Sequence, residues 1–307
     1  MRVVYLGTPE FSVAPLKALL EITDIEIVAV VTNKDKPFGR KQILTPPPVK
    51  VCALENNISV YQFDKIRVDG VEILKQLNPD LMITCAFGQI LSQEILDIPK
   101  LGVINIHASL LPKYRGASPI HYAILNGEKE TGITIMKTDI GIDTGDIIYA
   151  EKIDILDNET TGELFGRLSI LGASCIKKVV YSLLKGEISF TKQDESKATL
   201  TKMIRKEQAK IDFSVDAESI VNQIRAFNPA PIAYTLLRGE KFKIYSATAV
   251  DMSGKVGCVI DNDKRLIVAC GKGAISLNVV QKAGGKAIDI KSFMLGNKIE
   301  IGEKLGV

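Results

Sequence analysis

Val103-Ile104-Asn105-Ile106-His107-Ala108-Ser109-Leu110-Leu111-Pro112-Lys113-Tyr114-Arg115-Gly116 begins as an apolar β-branched run and ends in a polar loop. The first part reads as the end of a buried strand, whose side chains alternate faces with period two. Asn105 and His107 then point one way, and Ile104 and Ile106 the other. A carboxamide beside an imidazole suits acyl-type chemistry: the amide donates to an oxyanion, and the ring donates or relays a proton near neutral pH. A third group should set the state of the imidazole. Downstream, Thr138-Asp139-Ile140-Gly141-Ile142-Asp143-Thr144-Gly145-Asp146 offers Asp143, a carboxylate in a glycine-flanked loop.

Towards the N-terminus, residues 3–7 and 25–31 are short and almost wholly apolar, as strands of a parallel sheet are. Between them Phe11, Leu16, Leu19 and Leu20 recur at helical spacing, which makes a β-α-β opening and predicts a doubly wound α/β fold. Further strands are expected at 58–62 and 81–85, with a helix through Val71, Leu74 and Leu77 that Asn78-Pro79 ends. A Gly-x-Gly-x-x-Gly turn after the first strand and a phosphate loop are both missing from the sequence, which disfavours a dinucleotide dehydrogenase or an NTPase. Ala86-Phe87-Gly88-Gln89-Ile90-Leu91 leaves the sheet at a strand's carboxyl end, where open α/β sheets bind ligands. Residues 33–42 form a basic loop punctuated by Pro37 and Gly39, long enough to suspect function. Its composition fits a solvated connection or a clamp on a polyanion.

Three patterns together, Asn105-x-His107, Ser109-Leu110-Leu111-Pro112-x-Tyr114-Arg115-Gly116 and Asp139-x-Gly141-x-Asp143-x-Gly145, resemble the folate-dependent formyltransferase family. The resemblance implies a Rossmann-like catalytic domain with Asn105, His107 and Asp143 as the catalytic triad. It also implies 10-formyltetrahydrofolate as formyl donor, with no metal, and a pocket lined by Phe87, Gly88 and Ile90, with Ser109, Leu110, Leu111 and Pro112 beside it. The alternative reading places the Phe87 and Ile90 side chains in the core. In the branch that acts on tRNA, an insertion with a Gly-Arg pair enters the acceptor stem, and Gly39-Arg40 is similar to it. Arg40 is then the principal tRNA contact, assisted by Lys34, Lys36 and Lys41. The implied reaction transfers the formyl group to the amine of methionyl initiator tRNA. Alternatives are a formyltransferase for a sugar-nucleotide amine or small ribonucleotide amine, or a non-catalytic RNA-binding relative. Arg115 has two open readings, a structural tie and a substrate contact.

Thr160-Thr161-Gly162-Glu163 is a capping box that opens a long amphipathic helix ending before Gly186. The composition turns polar and basic around 189–205, which reads as a linker. Beyond it, a helix from about Asp216 carries Ile220, Ile224 and Phe227 on one stripe. Short strands follow at 232–237, 241–245, 256–260, 266–269 and 274–280, which suggest a small barrel of the OB type. The expected organisation is a catalytic domain at 1–189, a linker at 190–206 and an OB-like tRNA-binding domain at 207–307. His121 reads as a helix-surface residue. Five dispersed cysteines and only two histidines argue for reduced thiols and against a zinc site. Asp139, Asp143 and Asp146 lack the spacing of a calcium loop, and Asp139 and Asp146 read as turn formers. A first strand that starts at Arg2 leaves no room for a signal peptide, and no apolar run reaches membrane-span length, so a cytoplasmic protein is expected. A monomer is expected as well. The net charge of +3 permits a nucleic-acid partner without requiring one.

Overall fold

The computed structural model describes residues 1–39 and 41–306. It divides into two compact units: Met1–Gly116 with Thr131–Ile153 and Phe165–Thr201, and Ala117–Glu130 with Asp154–Leu164 and Lys202–Val307. Strands of the first unit are β1 (Arg2–Gly7), β2 (Glu26–Thr32), β3 (Lys36–Phe38), β4 (Ile43–Thr45), β5 (Val60–Gln62), β6 (Leu81–Cys85), β7 (Val103–His107), β8 (Arg115–Gly116), β9 (Glu130–Lys137), β10 (Ile147–Asp154) and β11 (Leu200–Thr201). Seven of them form one sheet in the order β10-β9-β7-β6-β1-β2-β5. The five from β7 to β5 run parallel, and β9 joins β7 antiparallel.

This is a Rossmann-like sheet, and its core is what the apolar runs dictate. Val3, Val4, Tyr5 and Leu6 of β1 are fully buried, and Val4 and Leu6 share one cluster with Ala29, Val31, Leu74 and Met82. The chain moves outward from β1 through β2 to β5, then returns to the other side of β1 for β6. That reversal opens a crevice at the carboxyl ends of β1 and β6, where Gly7 stands level with Cys85. On β7, Ile106 packs towards the helix Thr161–Lys185, where a Cβ on Gly172 would lie 3.3 Å from the Ile106 Cγ2. The fate of Ile106 leaves the opposite face of β7 to Asn105 and His107.

Strand β10 was not anticipated from the sequence. Its burial alternates and it carries Glu151, Lys152 and Asp154, as suits a strand at the sheet's edge. The stretch expected as a linker, 190–206, is divided at Thr201, and its first part belongs to the first unit. The reason is hydrogen bonding: Thr191 pairs with Ile147, and β11 runs parallel to β8.

The second unit holds β12 (Tyr234–Leu237), β13 (Glu240–Val250), β14 (Val259–Asp261), β15 (Leu266–Ala269), β16 (Ala274–Lys282) and β17 (Ile288–Asp289), in the order β12-β13-β16-β15-β14 with β17 on β16. Register shifts between Ile244 and Ala247, and again between Val259 and Asp261, curl this antiparallel sheet into a half-barrel of OB-like form. The strand expected at 241–245 runs on to Val250 because the bulge lets it turn with the curl. The helix Ala217–Ala226 is capped by the Asp216 carboxylate, which accepts from the Ser219 N–H. It drops Ile220 and Ile224 into a core with Phe242 and Phe293, and each such side chain contributes roughly 1.5–3 kcal/mol by leaving water.

Candidate active site

Asn105 is oriented by a neighbour in the sheet. Parallel register places Thr84 of β6 level with Asn105 of β7, and the Thr84 hydroxyl donates to the Asn105 Oδ1 at 2.9 Å. The amide NH2 is thereby turned away from β6, with Nδ2 3.4 Å from the Asp143 Oδ1. One residue pair on, His107 is almost fully buried, and its Nε2 lies 2.9 Å from the Tyr114 carbonyl oxygen. A carbonyl only accepts, so Nε2 carries the proton. The position left for taking up a proton is Nδ1, which faces the Asp143 Oδ2 at 3.5 Å. Thr84 carried no motif, and register alone reveals it.

Asp143 reaches these groups from the turn between β9 and β10, closed where the Lys137 N–H donates to the Asp146 carbonyl. Gly145 is required there, because a Cβ would fall 1.7 Å from the Lys137 carbonyl oxygen. The Asp139 Oδ1 accepts from the Gly141 N–H and the Thr144 hydroxyl, which is the turn-forming role expected of it. Asp143 adopts a left-handed φ of 53°, which aims its carboxylate back over the sheet, where Oδ2 accepts from the Gly116 N–H at 2.8 Å. Tyr114 (φ 61°) and Ala86 (φ 45°) are left-handed as well. Such conformations cost on the order of 1–3 kcal/mol and persist where surrounding structure fixes them, often at functional sites.

The remaining residues singled out from the sequence divide by exposure. Phe87 is buried, Gly88 is exposed, and Ile90 is 74% exposed. The Phe87 carbonyl accepts from the Thr8 hydroxyl and the Asn33 amide, and the Gln89 amide donates to the Asn33 Oδ1, so the 86–90 backbone is fixed from below. Ser109 is fully buried and its hydroxyl donates to the Lys113 carbonyl. Leu111 is nearly buried, while Leu110 and Pro112 are half-buried. Tyr114 is buried too, so it serves the site through its main chain.

Arg115 resolves as a tie. Its guanidinium, 4% exposed, donates to both Glu195 carboxylate oxygens (2.7 and 2.8 Å) and to the Gln193 Oε1. The Glu195 hydrogen bonds push the Arg115 pKa up, and the same contact draws the Glu195 carboxyl below its ordinary range. Of the expected tRNA contacts, Lys34 pairs with Asp64, and Lys36 and Lys41 are exposed on the β3–β4 hairpin and its turn. Arg40 lies outside the described residues. Phe38, Ile43 and Leu44 of the hairpin are uncovered (62–75% exposed). His121, expected on a helix surface, is instead half-buried, and burial holds its pKa down.

Residues 1–180 match the family described as Formyl transferase, and residues 203–298 match Formyl transferase, C-terminal domain. The chain is 45% identical over 311 residues to the Methionyl-tRNA formyltransferase of Bacillus subtilis (strain 168), covering 100% of this chain and 98% of the relative. It is 46% identical over 299 residues to the enzyme of the same name from Listeria monocytogenes (strain EGD-e), with 96% and 95% covered. Among solved structures, WlaRD, a sugar 3N-formyl transferase crystallised in the presence of dTDP and 5-N-formyl-THF, is similar with a TM-score of 0.68 at 25% identity, covering 93% of this chain and 99% of its own.

Proposed function

This chain belongs to the formyl transferase family, and on that premise we propose that it transfers the formyl group of 10-formyltetrahydrofolate to the amine of methionyl initiator tRNA, giving N-formylmethionyl-tRNA for translation initiation. The observation that carries the chemistry is the convergence of Asn105, His107 and Asp143 on one spot at the sheet's carboxyl edge. The donor fits the crevice beside them: Gly88 and Ile90 offer exposed backbone and an exposed apolar side chain, with the backbone braced by Thr8 and Asn33. When bound, it supplies an activated formyl carbon.

The chain's own groups divide the work. The Asn105 Nδ2 donates to the formyl oxygen as negative charge develops there, and the Thr84 hydroxyl holds the amide in the donating orientation. Tyr114 keeps the proton of His107 on Nε2, which leaves Nδ1 beside Asp143 to take up and return a proton. Asp143 stabilises the charge that the ring gains and helps move the proton from the attacking amine to the departing nitrogen. Phe87, Gly88, Ile90, Leu110, Leu111 and Pro112 line the donor site, and Ser109 shapes its wall through the buried turn.

The tRNA is gripped by the β3–β4 hairpin, with Arg40 as the principal contact and Lys34, Lys36 and Lys41 adding charge. Uncovered apolar side chains on a hairpin signal an interaction surface, which supports this assignment. The OB-like unit, expected over 207–307, adds a second tRNA surface, and the protein works as a cytoplasmic monomer. No helix among the described residues is long and apolar enough to cross a membrane.

The test is formyl transfer from 10-formyltetrahydrofolate to charged methionyl initiator tRNA, with uncharged tRNA as blank. Transfer that depends on the aminoacyl group is expected. Transfer to a dTDP-linked amino sugar in its place would overturn the substrate assignment and keep the chemistry.

A further inference from the structure

Two separate segments hold the site together, and one side chain joins them. The first segment is 114–116, which gives its Tyr114 carbonyl to His107 and its Gly116 N–H to Asp143. The second is the turn that carries Asp143. Gln193 lies between them. Its Nε2 donates to the Asp143 carbonyl at 2.8 Å and to the Gly145 carbonyl at 2.7 Å, while its Oε1 accepts from the Arg115 Nε at 3.0 Å and Nη2 at 2.8 Å. Both N–H groups and both lone pairs of the carboxamide are therefore used.

The rest of the 191–201 strap reinforces this arrangement. The Tyr114 N–H donates to the Thr199 Oγ1, the Arg115 N–H to the Thr199 carbonyl, and the Thr201 hydroxyl to the Arg115 carbonyl. Gly116 is needed for the approach, since its φ is 98° and a Cβ would stand 2.7 Å from the Thr201 carbonyl oxygen.

We propose that Gln193 is a positioning residue for the formyl transfer, setting Asp143 against His107 and Asn105 by tying the Asp143 turn to the Arg115 segment. The assignment rests on the formyltransferase reading of the site. Only an unbranched carboxamide of this length meets the demand. A carboxylate would keep Arg115 with one oxygen but set its other, negative oxygen against the Asp143 and Gly145 carbonyls. Asparagine is one methylene short of spanning the gap. Because Gln193 touches the backbone of Asp143 and none of the reacting groups, its loss should appear in turnover and leave binding alone.

The experiment is Gln193→Glu in the full chain, assayed for formyl transfer alongside the native protein, with 5-formyltetrahydrofolate binding measured by calorimetry. The expected result is a kcat lowered tenfold or more, KM for donor and tRNA within about twofold of native, and folate binding retained. Introduced into an Asp143→Asn background, the same change should cost almost nothing further, because the residue it positions is already disabled. Native-like kcat, loss of folate binding with kcat and KM worsened together, or an equal cost in both backgrounds would each overturn the proposal. If Gln193→Glu does not fold, Gln193→Asn is judged by the same split. A native protein inactive towards methionyl-tRNA would instead defeat the functional reading itself.

Discussion

Replacing Thr84 with valine tests how Asn105, the proposed oxyanion donor, is aimed. Valine matches threonine in shape, so the substitution removes a hydroxyl from a nearly buried strand position without opening a cavity. What is lost is the 2.9 Å bond to the Asn105 Oδ1. The amide does not become free, because turning it over would set Oδ1 against the Asp143 Oδ1, now 3.4 Å from Nδ2. The cost is therefore about one hydrogen bond, roughly 1 kcal/mol, or about fivefold in kcat. Asn105→Ala removes the donor itself and should cost about 3 kcal/mol, on the order of a hundredfold. The discriminating measurement is the double variant, assayed by single-turnover formyl transfer. If Thr84 acts only by orienting Asn105, Thr84→Val in the Asn105→Ala background changes the rate by less than about twofold. Costs that multiply would refute the orienting role, and so would a single Thr84→Val variant with native turnover.

Other outcomes follow from single contacts. Arg40→Ala should weaken use of tRNA, with the salt slope of log K shallower by about one unit and folate binding intact; unchanged tRNA kinetics would sink the clamp. Gly116→Ala should lower stability in urea titration by more than about 1 kcal/mol, since it strains a positive φ and drives a Cβ into the Thr201 carbonyl; an unshifted midpoint would contradict the β8–β11 approach. All five cysteines are buried, and burial first of all pushes the Cys85 and Cys175 thiols up to about 12 and Cys270 to about 11. A chromogenic disulfide reagent at pH 8 should thus find no rapid thiol until the chain is unfolded, and a fast-reacting one would contradict the packing. Arg115 depresses the Glu195 pKa, so their contact stabilises the fold above the unfolded value of about 4.3 and is lost as pH falls through the lower folded value. The Tm difference between native protein and Glu195→Gln should be constant from pH 6 to 8 and close below about pH 4; a difference that first appears near neutrality would assign it elsewhere.

The convergence of Asn105, His107 and Asp143 was legible because its signal is local. Asn105 and His107 are two apart on a strand, so alternation puts them on one face, and Asp143 stands in a glycine-flanked turn that residue types alone announce. The parallel sheet was legible for the same reason, since β1, β2 and β6 are apolar runs with no polar face. Thr84 was invisible because its role depends on register between strands about twenty residues apart in sequence. The β3–β4 hairpin was invisible because its strands are three residues long and exposed, so they carry no burial pattern to read.

The strap marks a sharper limit. Gln193, Asp194, Glu195, Ser196 and Lys197 look like a linker because polarity, charge and a lack of period are what solvated chain requires. The same composition is what a segment needs when its task is to satisfy polar groups of a strained site. Arg115 is buried 78 residues from Gln193 and 80 from Glu195, and neither partner can be inferred from its own neighbourhood. The left-handed Tyr114 is the counterpart on the other side: it is a local choice that its sequence would not make alone. Polar segments with no pattern and bulky residues with positive φ are thus two views of one arrangement, in which hydrogen bonds from a distant stretch hold the backbone where local preference would release it. In a chain whose candidate catalytic residues are already plain, an apparent linker with an amide and a carboxylate two residues apart is where the missing support should be sought.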